Sequence, residues 1–149
     1  MKSSLLLALM ATLLIAADKP KDAAAEDRQK LQGTWQVLEE SHGDNDTSDE
    51  GKHCQLIFDG DKFIIKKDGK VIIEGTFEIN AGKSPREIDM KVLKDEEDQR
   101  TGQTALGIYK IDGDKLTWCS CEPGRGGRPA EFAAKGTNFL LIVMERAKK

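Results

Sequence analysis

The residues best suited to nucleophilic or metal chemistry in this 149-residue chain are Cys54, Cys119, Cys121, His42 and His53. A thiol or hydroxyl nucleophile needs a base beside it, and the two histidines are the only neutral-pH bases on offer. His42 falls in an acidic stretch. His53 directly precedes Cys54, where the pleat of a strand sends neighbouring side chains to opposite faces. Zinc would have ligands on paper, but Cys119 and Cys121 are separated by one residue, whereas a knuckle needs two. No metal site is expected from this spacing.

Carboxylates are plentiful, with 26 Asp and Glu against 23 Lys and Arg. The run DNDTSDE, Asp44 to Glu50, offers oxygen side chains at alternate positions, as a calcium loop would. It fails at the sixth position, Asp49 in place of glycine, and at the twelfth, Gln55 in place of a bidentate glutamate. A solvated acidic loop is expected there. Asp95-Glu96-Glu97-Asp98 likewise reads as a hydrated turn. Acid–base catalysis wants a buried carboxylate with a raised pKa, and no residue is marked as one. The chain is expected to be neither an enzyme nor a cofactor binder.

The elements that would position any site begin after residue 17. MKSSLLLALMATLLIAA carries Lys2 and then an apolar run of about 13 residues, too short for a bilayer-spanning helix and typical of a signal peptide. Cleavage after Ala16 or Ala17 would leave one domain over 18–149, in the periplasm or outside the cell, with no transmembrane anchor. Losing Lys2 leaves 22 basic against 26 acidic side chains, a net charge of −4. Mixed charges of that sign give no footprint for nucleic acid. Three cysteines are an odd count for an exported chain, so at least one free thiol is expected. Cys119 and Cys121, at i and i+2 on one strand face, are poorly placed to bridge each other.

KDAAAEDRQKL, 21–31, predicts one or two helical turns capped by Asp22. Beyond it the period becomes two. Val71, Ile73, Gly75, Phe77 and Ile79 share one face of the clearest strand, and weaker alternation marks strands near 33–39, 53–58, 62–66, 87–93, 104–111, 115–121 and 138–146. Asp59-Gly60-Asp61, Asp68-Gly69 and Asp112-Gly113-Asp114 supply tight hairpin turns. Eight sequential antiparallel strands predict an all-β, up-and-down barrel, because closure removes exposed edges. Gly75 and Gly107 mark either bends in such a barrel or room for a bulky neighbour. Extending the alternation turns Phe77, Met90, Tyr109 and Trp118 inward, as candidate cavity lining with Tyr109 as the polar handle.

Gly33-Thr34-Trp35 opens the first strand, and Arg146 closes the last in LLIVMER. A helical turn, Gly-x-Trp, eight meandering strands and a terminal basic residue resemble the lipocalin arrangement. That resemblance implies that Trp35 packs across the closed end with Arg146 over its ring, a cation–π contact. LQGTWQV, GKVIIEGTFEI, GIYKIDGDKLTWC, RPAEF and LLIVMER resemble more closely a lipocalin-like domain of uncharacterised function, abundant in exported planctomycete proteins. Cys121 and the acidic insert at 39–50 depart from that pattern. The family implies no catalytic residues.

Two functions follow as expectations. One is a monomer holding a small, partly apolar or amphipathic ligand in the barrel, with Arg125 and Arg128 of EPGRGGRPAEF, 122–132, offering forked hydrogen bonds to an anionic group at the mouth. A mobile, solvated connector is the alternative for that loop. The other function is an envelope interaction module whose barrel is filled by its own side chains and whose loops contact protein or polysaccharide. A barrel of eight strands accommodates either.

Overall fold

The computed structural model describes residues 20–149; the expected signal segment lies outside them. Helix α1, Pro20–Leu31, is followed by β1, Gly33–His42, the short β2, Asn45–Asp46, and a helical turn α2, Ser48–Gly51. Then come β3, Cys54–Asp59, β4, Lys62–Lys67, β5, Lys70–Asn80, β6, Arg86–Asp95, β7, Thr104–Asp112, β8, Lys115–Ser120, and β9, Leu140–Arg146. Consecutive long strands pair antiparallel, and β9 returns to β1, closing an eight-stranded barrel. Among the described residues no helix is long and apolar enough to cross a membrane.

Pro20 and Lys21 already belong to the helix, so Asp22 lies within it and not at its cap. The Asp68-Gly69 turn has positive φ at both residues, 50° and 78°, the backbone that a two-residue hairpin with right-twisted strands demands. Both readings of Gly75 apply. The β5–β6 register slips between Glu74 and Gly75, and a Cβ there would stand 2.5 Å from the Phe63 ring and 2.0 Å from the Lys91 carbonyl oxygen. Gly107 is a matter of space alone on this measure: its Cβ would meet Trp118 Nε1 at 2.6 Å.

The acidic insert is more ordered than a solvated loop. β2 pairs back onto the end of β1, and Thr47 Oγ1 donates to Glu40 Oε1 at 2.9 Å, while Ser48 N donates to Asp46 Oδ1 at 2.9 Å. Its acidic side chains are therefore used partly to close local turns. The segment after β8 also departs from a mobile connector. It runs over the outside of the barrel, buries Pro129 and Ala134, and covers Ile108 and Cys119, with Cys119 Sγ 3.8 Å from the Ala133 carbonyl. These residues form a small second core on the outer face of β7 and β8.

The main core fills the barrel beneath α1. Leu31, Trp35, Phe58, Phe77, Ile88 and Tyr109 are all buried there, with Phe58 and Phe77 edge to face at 4.7 Å. Arg28 lies 5.4 Å over the Phe77 ring. This end is a plug of large side chains, so any open volume must lie toward the other end.

Candidate ligand cavity

A cavity of about 760 Å³ occupies the half of the barrel away from α1. Its deeper wall is apolar, with Leu56, Phe63, Met90, Trp118, Ile142 and Met144, and its rim carries Glu40, His42, Arg100, Glu122 and Arg125. The volume exceeds the ~300 Å³ at which small-molecule sites begin, and the lining is mixed, with apolar side chains in the deeper wall and many polar and charged ones toward the rim. Side chains leave open volume in this half of the barrel. No family model, curated protein or solved structure matches the chain.

Of the four residues expected to line the lumen, Met90 and Trp118 do so. Phe77 and Tyr109 point inward but sit below the cavity floor, within the plug. Tyr109 is no polar handle for a ligand: its hydroxyl donates to Asp27 Oδ2 at 2.6 Å, and burial together with that bond pushes its pKa well above the usual phenol. Asp27, itself buried on α1, also accepts from Arg86 Nη1 at 2.6 and 2.7 Å. The three residues rivet the helix to β6 and β7.

The two arginines part company as well. Arg125 reaches the cavity rim, exposed and 3.4 Å from Glu122. Arg128 is on the outer face, where it donates to Asp89 Oδ1 at 2.6 Å and to the Gly107 carbonyl at 2.7 Å, with Glu87 3.5 Å away. Its fork is already occupied by the protein's own acceptors, so it does not serve as a mouth contact for an anion. Trp35 is wholly buried, and Arg146 Cζ stands 4.3 Å from its ring centroid at the closed end.

The thiols are all unbridged. Cys119 and Cys121 are buried, while Cys54 is half-buried at the cavity mouth; burial raises the Cys54 pKa, and the nearby Glu40 adds to this. A thiol held protonated in this way is a poor nucleophile. His53, on the far side of the pleat, has Nδ1 2.8 Å from Asp68 Oδ1. Among the described residues no three His, Cys, Asp or Glu side chains stand close enough together to hold a metal.

Two features of the mouth escape an alternation pattern. A bulge between Val37 and Glu39 shifts the register of β1, so that Glu40 and His42 oppose the inward-facing Ile142 and Leu140 and join the rim. The β6–β7 loop is held by Asp95, whose carboxylate takes a fork from Arg100 at 2.8 and 3.1 Å and further bonds from the backbone N–H groups of Arg100 and Glu97. Asp95 is thus a buried, paired carboxylate and not part of a hydrated turn.

That pairing makes the mouth loop sensitive to acid. Chiefly through the Arg100 side-chain bonds, and despite the opposing effect of burial, the Asp95 carboxyl is lowered from 3.8 to about 2. A depressed carboxyl stabilises the fold above its unfolded pKa and loses that contribution as pH falls through the folded value. Roughly 2 kcal/mol should therefore disappear between about pH 4 and pH 2. Urea titrations across that window should show the loss in the wild type and a flatter profile in Asp95→Asn.

Proposed function

We propose that this chain is an exported, lipocalin-like carrier that holds a small, partly apolar molecule inside its barrel. The observation that carries the reading is the 760 Å³ cavity with its apolar wall and its single polar rim. A lumen left open in a barrel whose other end is packed solid forgoes the dispersion contacts that a filled core would gain. Occupation by an apolar molecule restores them. In this reading the occupant is bound and released unchanged.

Native mass spectrometry of the protein purified from its own host tests carrier and export together. The expected spectrum shows a chain shortened by 16 or 17 residues, with an additional species heavier by the mass of one small molecule. In parallel, N-phenyl-1-naphthylamine should brighten on binding the emptied protein. Ala105→Phe should abolish that signal, because Ala105 lines the cavity beside Met90. Placed in a packed core, such a substitution costs about 1–3 kcal/mol; projected into open volume, it should cost less. A ligand-free native mass together with a dye that ignores the barrel would overturn the carrier reading.

A further inference from the structure

The cavity closes from its mouth inward in one step. On β3, Cys54 is half-buried, while Leu56, the next inward side chain, is 4% exposed. On β4, Ile65 is half-buried and Phe63 is 2% exposed; on β9, Leu140 is half-buried and Ile142 is 7% exposed. All six bound the same cavity. Inward positions recur every two residues, or ~6.6 Å along a strand, and barrel strands tilt by about 35–45°, so each layer of side chains adds roughly 5 Å of depth. The cavity therefore spans about two layers, the upper one open and the lower one nearly sealed. Its width is that of the barrel, because each of the eight long strands contributes to its wall. On β4 the floor is Phe63, which bounds the cavity and pairs with Phe58 of the plug. Its ring rests against β5 at Gly75, where a Cβ would stand 2.5 and 2.7 Å from two ring carbons, so it has no room to swing that way.

We infer that the cavity takes a compact ring system, fused or bridged, in preference to an extended alkyl chain, and that Phe63 sets the depth its occupant reaches. The inference rests on the carrier reading and narrows it to a class of ligand. At ~1.2 Å per bond an extended chain spends about eight carbons on two layers. Methylene groups of about the size of water, roughly 30 Å³ each, would then fill only about a third of the 760 Å³. A longer chain must emerge into water or fold back on itself, and folding back costs rotamer entropy. A rigid ring system with the same number of carbons spreads across the width instead. It is ordered before it binds, so more of its apolar burial appears as affinity.

Alcohols that keep one hydroxyl and vary the apolar part test this, each titrated against N-phenyl-1-naphthylamine bound to the exported chain: hexan-1-ol, octan-1-ol, decan-1-ol, dodecan-1-ol and the bicyclic decahydro-2-naphthol. In the wild type each methylene should raise affinity about fourfold as far as octanol, the worth of one buried methylene, and by less than about twofold beyond it. Decahydro-2-naphthol, with the ten carbons of decanol, should bind at least about fivefold more tightly than decanol. Phe63→Ala should unseal the lower layer and carry the fourfold gain on to dodecanol, and Phe63→Leu, the milder change, should carry it to decanol. Each comparison is a ratio within one protein, so a general loss of affinity leaves it readable, and the wild-type series needs no substitution. An even gain through dodecanol, with decanol equal to its bicyclic counterpart, would replace the ring system by a chain and leave the carrier standing. A break at octanol that stays in place in both variants would remove Phe63 from its role. If the dye binds and no alcohol displaces it, the ligand class is wrong and the carrier stands. If calorimetry shows that neither dye nor alcohol binds, carrier and ligand class fall together.

Discussion

Trp35→Ala should lose about 3–5 kcal/mol of unfolding free energy, the range for removing a large buried aromatic and a substantial part of the ~5–15 kcal/mol a domain possesses. The upper half of that range is expected because the ring has three functions at once. It is wholly buried in the plug, and its N–H caps the Leu31 carbonyl at the end of α1. It also forms the platform on which Arg146 lies, 4.3 Å from the ring centroid. From that platform Arg146 donates to the Gln32 carbonyl at 2.8 Å and to the Lys30 carbonyl at 2.7 Å. The last carbonyls of a helix have no partner within it, so indole and guanidinium together terminate α1. Removing the indole releases the arginine and the helix end with it. Urea denaturation followed by circular dichroism gives the loss, and Trp35→Phe should recover part of it by restoring the ring without the N–H. A Trp35→Ala protein as stable as the wild type but unable to bind the dye would make Trp35 a ligand contact instead of a closing residue.

Asp27→Ala is expected to cost about 3 kcal/mol, at the lower end of the range for breaking a buried ion pair, because Arg86 is half exposed and can turn to water. Tyr109 cannot. It is 1% exposed, and without Asp27 its hydroxyl loses the acceptor 2.6 Å away. Tyr109→Phe alone should cost about 1 kcal/mol, since Asp27 keeps both bonds from Arg86. The double variant should lose less than the sum of the two single losses, because the phenylalanine no longer leaves a donor stranded. Additive losses would show that the Tyr109 and Asp27 side chains are not coupled, so that their hydrogen bond does not help to hold the helix.

The barrel was legible because each of its signals is local. Alternation gives the strands, Asp-Gly gives the hairpins, and a succession of hairpins leaves closure as the way to remove the two edges. The site was legible only in direction. A period of two separates inside from outside but carries nothing about height along the barrel axis, so Phe77 and Tyr109 face inward as expected yet sit in the plug, while Met90 and Trp118 reach the open half. Arg128 looks free in the sequence because its partners, Glu87 and Asp89, lie some forty residues away on β6. Asp27 gave no sign at all: in KDAAAEDRQKL it is one acid among several, and only the return of β6 and β7 beneath the helix buries it. Glu40 and His42 were hidden by the bulge, which reverses the faces of β1 beyond Val37. Met90 and Trp118 were the two residues that alternation placed in the wall and that the fold keeps there.

The pairing of β1 with β9 differs in kind from the other seams of the barrel. Every other pair of neighbouring long strands consists of consecutive segments, which can meet soon after both are available, whereas this seam joins Trp35 to Arg146 across nearly the whole domain. Loop closure over such a distance is slow compared with hairpin formation. Until it happens, a chain emerging amino terminus first presents β1 and β8 as two open edges, each able to recruit a strand from another copy. The last few residues thus act as a latch on the whole molecule. A chain cut short before Leu140 would retain most of its hairpins and its apolar wall, yet lose both the capped helix and the only means of shielding those edges from each other's copies.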